Sequence, residues 1–287
     1  MQFIEFFRQT QRTVKNLLGL RVAPTIANKT SYNSMSSVDA YAHCIYLKKP
    51  EKTIIKILKT KPTFGIMLDV GVGGGRTAPY FSELCERYIG VDYCENMVNV
   101  CRKKFSNSPN LSFTVADARS LSIYADNSFG FVLFSHGGLD AVEHEDRIKI
   151  LSEIGRVVKN GGYFCFSTSN LDAMLQYCRF SFSNNPQTLA KNLVKLLLIR
   201  LINPEMWKYV RGKKKDLQHT MFNVGGDNWS LKTYCVTPEA QLTQLKNAGF
   251  TNTRIFDMQG KETPHLYNKT DVELYFLCQK ETKNDSF

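Results

Sequence analysis

The sequence lacks the features that mark several common classes of protein. Its eight cysteines are scattered and form no CxxC pair, so a zinc or other metal site has little support. No apolar run reaches the roughly 18 to 20 residues that a membrane-spanning helix needs. The N-terminal segment contains Glu5, Arg8 and Arg12 and has no small-residue cleavage site, which is not typical of a secretory signal. These observations favour a reducing, cytoplasmic compartment and predict no metal.

The chain also lacks internal repeats and low-complexity tracts, and its composition is ordinary. It has 287 residues, of which 43% are hydrophobic and 22% charged. A chain of this length and composition buries a large core.

The positive charge, formally +11, is concentrated in two segments. Residues 1–62 contain eleven basic and three acidic residues, and residues 176–215 contain nine basic and one acidic. Such segments attract an anionic substrate, nucleic acid or an anionic membrane, and a solvated helix face explains them equally well.

Short apolar runs alternate with helical patterns through the middle of the chain. The runs at 65–70, 88–91, 111–116, 129–135 and 163–167 predict strands, with helices expected over 76–87, 96–105 and 143–159. This alternation predicts an α/β fold with a mostly parallel sheet and helices on both faces. Beyond it we expect an amphipathic helix at 193–202, a hairpin at 219–236 that turns at 225–228, a helix at 237–248, and strands at 253–256 and 272–277.

A glycine-rich loop follows the first predicted strand, where residues 69–76 read DVGVGGGR. A dinucleotide site expects its third glycine three residues after the second. Here Gly71, Gly73 and Gly75 alternate, and Asp69 precedes them by two residues. Glycines at these positions allow tight turns and a close approach of a ligand to the backbone.

This loop resembles the D/E-x-G-x-G-x-G motif of class I S-adenosylmethionine-dependent methyltransferases, and the resemblance extends over about residues 35–280. It implies a Rossmann-like sheet of seven strands in the order 3-2-1-4-5-7-6, with the last strand antiparallel. It also implies a helical cap at 1–62, a methyltransferase domain at 63–280 with a lid inserted at about 171–236, and a tail at 281–287. The implied cofactor is S-adenosylmethionine, with S-adenosylhomocysteine as product.

The resemblance assigns cofactor contacts to residues at the ends of successive strands. Asp92, about twenty residues after the loop, would accept hydrogen bonds from both ribose hydroxyls. Asp117 would accept one from the adenine amine, beside a backbone amide that reaches the ring. As single residues, Asp92 also suits a helix N-cap and Asp117 a turn. The other implied cofactor contacts are Tyr41, Asp69, Gly71, Gly73, Gly75, Tyr93, Met97, Ala118 and Ser135.

The acceptor is expected to be a small molecule or natural product that receives the methyl group on oxygen or nitrogen, and the two basic segments predict an anionic group on it. His136, directly after the fourth strand, is the first candidate for a general base, and His144 is the second. Packing roles explain both histidines equally simply. Candidate substrate contacts are Asp140, His219, Trp229 and Tyr234.

Three alternatives stay open at this point. A nucleic-acid or peptide methyltransferase suits the basic charge, but base-amine methyltransferases carry N/D-P-P-Y/F/W where this chain has Ser135, His136, Gly137 and Gly138. A non-catalytic cofactor-binding protein is disfavoured by the intact loop and aspartates. Contact with a membrane is suggested by the apolar face of residues 1–20, although an ordinary packed helix explains that face better.

Overall fold

The computed structural model describes residues 35–177, 182–203, 217–223, 232–263 and 270–282. The predicted turn at 225–228 and most of the N-terminal cap lie outside these ranges. Within them the helices are α1 Met35–Ala42, α2 Lys49–Leu58, α3 Ala78–Phe81, α4 Glu95–Lys104, α5 His144–Val157, α6 Leu171–Tyr177, α7 Pro186–Ile202 and α8 Pro238–Asn247.

The strands of the described residues form one mixed sheet. They are β1 Ile66–Val70, β2 Arg87–Asp92, β3 Leu111–Val115, β4 Phe129–Phe134, β5 Val158–Asn170, β6 His219–Phe222, β7 Thr233–Val236, β8 Phe250–Phe256, β9 Glu262–Thr263 and β10 Glu273–Lys280. The main path runs β3-β2-β1-β4-β5-β10-β8-β9. Strands β1 to β5 run parallel to one another on this path, and β10 is antiparallel to both β5 and β8.

The predicted fold class is confirmed, whereas the predicted count of seven strands was too low. The path from β3 to β8 has the expected order, and three short strands extend it. Strand β9 adds an edge beside β8, while β6 and β7 form an antiparallel hairpin that joins the sheet through β5. A two-residue strand has too little periodicity to be detected in a sequence.

The core lies on both faces of the sheet. Strand β4 reads FGFVLF and is buried at every position, as expected for a central parallel strand covered on both sides. One apolar cluster includes Val132, Ile154 and Phe166, and the other includes Ile54, Met67 and Phe131. Helices α5 and α2 therefore cover opposite faces.

The helix predicted over 76–87 is much shorter in the structure. Helix α3 spans Ala78–Phe81, a 3-10 turn follows at Ser82–Leu84, and β2 already begins at Arg87. The apolar residues of this stretch pack into the core, which gives the sequence a helix-like spacing, but the backbone becomes extended at Cys85.

The inserted region after β5 is anchored to the sheet. Cys235 and Val236 of β7 pair with the carboxyl end of β5, and Ile199 of α7 packs in a small cluster with Phe222 of β6. The insertion thus lies at the same end of the sheet as the loops that follow β1, β2 and β4. No helix in the described ranges is long and apolar enough to cross a membrane.

Candidate functional site

A cavity opens at the carboxyl ends of β1, β2 and β4, the edge where open α/β sheets bind ligands. Its lining comes from α1, from the ends of these strands and from the segments that follow β1, β2, β3 and β4. The residues are Tyr41, Asp69, Val70, Gly71, Val72, Gly73, Gly74, Arg76, Thr77, Asp92, Tyr93, Cys94, Met97, Ala116, Ala118, Phe134, Ser135, His136, Gly138 and Ala141.

The glycine loop turns tightly around one side of the cavity. Gly71, Gly73 and Gly75 have φ values of 63°, 53° and 74°, in the left-handed region that favours glycine. Gly75 does not line the cavity, because a side chain there would meet Cys101 and Phe105 behind the loop. Its predicted cofactor contact is therefore replaced by a packing role.

Gly74 takes the place at the cavity that the sequence assigned to Gly75. A Cβ at Gly74 would collide with the backbone carbonyl of Tyr41, so α1 lies directly against the loop. Tyr41 itself lines the cavity.

Asp92, at the end of β2, fixes the loop from the opposite side. Its carboxylate accepts hydrogen bonds from the backbone amides of Gly73 at 3.0 Å and Cys94 at 2.9 Å. Burial raises the pKa of Asp92, and these amides oppose that shift. The Tyr93 amide and the Cys94 side chain also bond to this carboxylate and oppose the shift as well.

Asp69 lines the cavity, and its carboxylate is hydrogen-bonded to neighbouring elements of the fold. It accepts hydrogen bonds from Thr77 at 2.6 Å and from the Tyr88 hydroxyl at 2.5 Å. Burial raises its pKa to about 6. The aspartate thus joins β1, the start of α3 and β2, and orders the loop between them.

At the other side of the cavity lie Tyr93, Met97 and Ala118, as the sequence predicts. Asp117 is not part of the lining. Its carboxylate makes a salt bridge with Arg119, with Oδ2 at 2.6 Å from Nη2, and Arg119 also pairs with Asp146. The structure therefore brings the neighbours of Asp117, but not its side chain, to the cavity.

A buried ionic cluster beneath the cavity was not anticipated from the sequence. Glu51 of α2 is fully buried, and its two oxygens accept from the Arg76 guanidinium at 2.6 and 2.7 Å. Glu51 also accepts hydrogen bonds from Ser135 and, at 3.0 Å, from Tyr275. Burial alone would raise the pKa of Glu51, but the bonds from Arg76 and Ser135 outweigh it and lower that pKa.

Hydrogen bonds within this cluster hold Ser135 and Arg76 in place, and both residues line the cavity. The sequence could have indicated Arg76 as a residue of the site, because it directly follows the last glycine of the loop. Nothing in the sequence could identify Glu51 as its partner, since the two are 25 residues apart on separate elements.

His136 lies at the cavity beside Ser135 and has a φ of 61°, an uncommon value for a residue with a side chain. Burial lowers its pKa, and the nearby Lys48 cation lowers it further, while Glu273 opposes this shift. His136 is therefore neutral at pH 7 and able to accept a proton.

Asp140 is a structural residue, contrary to its predicted role as a substrate contact. It is buried and bonds to the buried Arg147 at 2.8 Å, to the Thr168 hydroxyl at 2.6 Å and to the Ser169 amide at 2.7 Å. Burial raises the pKa of Asp140, which Arg147 opposes. Its acceptor capacity is consumed by the fold.

His144, His219 and Tyr234 form a stack that joins α5 to the hairpin, outside the lining of the cavity. The two imidazole rings are 3.9 Å apart and nearly parallel, and His144 Nδ1 is 2.6 Å from the Tyr234 hydroxyl. Tyr234 is buried against Arg147. These three residues were predicted to take part in catalysis or to bind the substrate, whereas the structure uses them to hold the hairpin. Trp229 lies outside the described residues.

This stack predicts a loss of stability on acidification. Burial lowers the pKa of His144 and of His219 below the ordinary 6.5, and Arg147 adds to both shifts. The unfolded chain therefore binds protons more readily, so the stack stabilises fully above pH 6.5 and loses this contribution as the pH falls below it. We expect the double variant His144→Gln/His219→Gln to lose less Tm than wild type between about pH 7.5 and about pH 5.5. Equal losses in both proteins would contradict this role, and His43→Gln, an exposed histidine, is the control.

Among the described residues, no group of three or more His, Cys, Asp or Glu side chains is arranged to hold a metal ion. None of the seven described cysteines forms a disulfide, and six of them are buried. They act as small apolar side chains in the core.

Comparison with known proteins agrees with this architecture. Residues 68–166 match the family model described as a methyltransferase domain. A fatty-acid O-methyltransferase of Mycolicibacterium smegmatis is 29% identical over 154 residues, which is 53% of this chain and 50% of that protein. A demethylmenaquinone methyltransferase of Bacteroides fragilis is 41% identical over 81 residues, 27% of this chain and 31% of that protein. The chain thus spans half or less of the length of these two relatives.

A solved structure shares the fold at low sequence identity. An S-adenosylmethionine-dependent methyltransferase of Mesorhizobium loti superposes with a TM-score of 0.54 at 16% identity, covering 78% of this chain and 96% of that one. Residues 68–166 are therefore similar to a methyltransferase domain, and the chain shares the fold of a solved S-adenosylmethionine-dependent methyltransferase.

Proposed function

We propose that this protein transfers a methyl group from S-adenosylmethionine to an oxygen or nitrogen of a small-molecule acceptor with an anionic group. The observation that carries the proposal is the cavity in which the glycine loop, Asp92 and His136 converge. The proposed cofactor supplies the electrophilic methyl group and a neutral thioether as leaving group. The protein orders the reactants and excludes water.

The residues of the cavity fit the proposed cofactor. The loop carries no side chain at Gly71, Gly73 or Gly74, which leaves its backbone accessible at the cavity. The Asp92 carboxylate lines the cavity, and we assign the two ribose hydroxyls to it. Tyr93, Met97 and Ala118 offer largely apolar surface for a purine.

We assign the adenine contacts to these residues and to Ala116, which also lines the cavity. The carboxylate of Asp117 is engaged by Arg119, with both oxygens within 3.1 Å of the guanidinium. Adenine recognition by Asp117 is therefore the least supported of the contacts expected from the sequence.

His136 is the proposed general base for a hydroxyl acceptor. An imidazole nitrogen of His136 would take the proton of the acceptor hydroxyl as that oxygen is methylated, so the proton released by the transfer has an acceptor. The lowered pKa keeps His136 neutral and ready for this transfer. A carboxylate or an uncharged amine attacks without such a base, so His136 would then only position the acceptor.

The anionic character of the acceptor is supported by the two basic segments of the sequence, residues 1–62 and 176–215. The charges next to His136 are balanced, because Lys48 pairs with Glu273 and Arg76 pairs with Glu51. The relative named as a fatty-acid O-methyltransferase is named for an acceptor that ends in a carboxylate. We infer that a small carboxylic or hydroxylated acid is the first acceptor to assay.

The experiment is a transfer assay with donor labelled in the methyl group, run against carboxylic acids, phenols, amines and total RNA. The proposal expects label on a small organic acceptor and none on RNA. Label on RNA alone, or cofactor binding with no transfer to any acceptor, contradicts it.

Replacement of His136 by alanine tests the role of the cavity histidine. Removal of a general base lowers kcat by about 100-fold, whereas affinity for S-adenosylhomocysteine should change by less than about threefold. His43→Ala removes an exposed histidine and is the matched control. If kcat for a hydroxyl acceptor is the same in His136→Ala and wild type, His136 has no part in the reaction.

A further inference from the structure

Helix α7 has one face in the protein and another in solvent. Ile199 is buried in the cluster with Leu171, Met174 and Phe222. On the outer face, Leu193, Leu197 and Leu201 are spaced four residues apart, so they form a continuous stripe. Leu197 is 56% exposed and Leu201 is 74% exposed. Single exposed leucines are common, whereas a stripe of three on one helix marks an interaction surface.

The charge of this region is of one sign. Between Asp172 and Glu205 the sequence contains no acidic residue, and it contains Arg179, Lys191, Lys195 and Arg200. Three of these four cations belong to α7 itself. A helix with an exposed leucine stripe, exposed Lys191 and Arg200 and no acidic residue complements a surface with apolar chains beneath anionic headgroups.

A protein partner is less well matched by these features. Charged side chains are depleted at the centres of protein interfaces, where lysine in particular is rare. The helix is also too short and too charged to cross a bilayer, and no described helix meets that condition. A helix of this kind lies in the plane of the membrane surface.

From these features we propose that α7 docks the protein on an anionic lipid bilayer through Leu193, Leu197 and Leu201. Lys191 and Arg200, exposed on the same helix, contact the headgroups while the leucines enter the interface between headgroups and acyl chains. The insertion that carries α7 follows the carboxyl end of β5, at the edge of the sheet where the cavity opens. Docking would therefore bring this end of the molecule towards the bilayer. The inference goes beyond the proposed function and does not depend on it.

Vesicle co-sedimentation of the full-length protein tests this surface. We expect wild type to sediment with phosphatidylglycerol vesicles at about 0.1 M salt and far less with phosphatidylcholine vesicles. The double variant Leu197→Glu/Leu201→Glu should partition at least about 10-fold more weakly, because burial of two leucines is lost and negative charge is added. Ile123→Glu is the matched control, since Ile123 is 60% exposed in a loop between β3 and β4.

Two further measurements separate the possible results. Calorimetry with S-adenosylhomocysteine should give the same affinity for wild type and both variants, which shows that the fold and the cofactor site are intact. The docking proposal is overturned if wild type ignores the anionic vesicles or if the double variant binds them equally well. It is also overturned if wild type is a dimer that the double variant converts to a monomer while vesicle binding is absent, because the stripe is then a contact between two copies. A failure of docking with intact cofactor affinity leaves the proposed function untouched.

Discussion

The variant Asp92→Ala is expected to bind S-adenosylhomocysteine at least about 100-fold more weakly than wild type, because hydrogen bonds to a charged group each contribute about 1.5 to 3 kcal/mol. The substitution removes the acceptor proposed for both ribose hydroxyls. It also leaves the amides of Gly73 and Cys94 without their partner, so the loop loses its support at the same time. Isothermal calorimetry measures the loss directly.

A second aspartate separates this effect from a general effect of charge. Asp126 is exposed and pairs with Arg156 on the surface, and it takes no part in the lining of the cavity. Asp126→Ala should bind the ligand as wild type does. If Asp92→Ala retains wild-type affinity with an unchanged circular dichroism spectrum, the ribose assignment is wrong.

The variant Glu51→Ala is expected to show the largest loss of stability, about 3 to 5 kcal/mol, because it leaves a buried charge without its partner. The Arg76 guanidinium would lose both of its bonds to the carboxylate, and Ser135 and Tyr275 would each lose an acceptor. For a chain of this size the fall in Tm is on the order of 10 °C. Because Arg76 and Ser135 both line the cavity, the affinity for the cofactor should fall as well.

An exposed ion pair at the opposite end of α2 provides the comparison. Lys59 and Glu83 are 3.0 Å apart, and both side chains are more than half exposed. Such a pair contributes about 0 to 1 kcal/mol, so Glu83→Ala should change Tm by at most roughly 2 °C. Equal shifts in the two variants would show that the Glu51 cluster has no special role.

The parts of the fold that the sequence predicts well are those set by local patterns. Apolar runs that end in glycine or aspartate specified β1, β2 and β4, and with them the edge of the sheet where the cavity lies. The loop and Asp92 follow from the same reasoning, since residues at the ends of adjacent parallel strands are close in space.

The parts that it predicts poorly depend on contacts between distant elements. His144 and Tyr234 are chemically able to act on a substrate, but their 2.6 Å contact spans 90 residues and turns them into a structural stack. Asp140 is likewise held by tertiary contacts, because its partners Arg147 and Thr168 lie on a helix and a strand. A polar side chain near a strand end is therefore expected to lie close to the site, but the sequence does not show whether the fold already uses its hydrogen-bonding groups.

The central claim concerns the cavity formed by the glycine loop, Asp92 and Tyr41. Calorimetry of the purified full-length protein with S-adenosylhomocysteine tests it most directly. We predict saturable binding of one ligand per chain, lost in Asp92→Ala and kept in Asp126→Ala. A folded protein that releases no heat with this ligand or with S-adenosylmethionine, across a range of temperatures, would contradict the account.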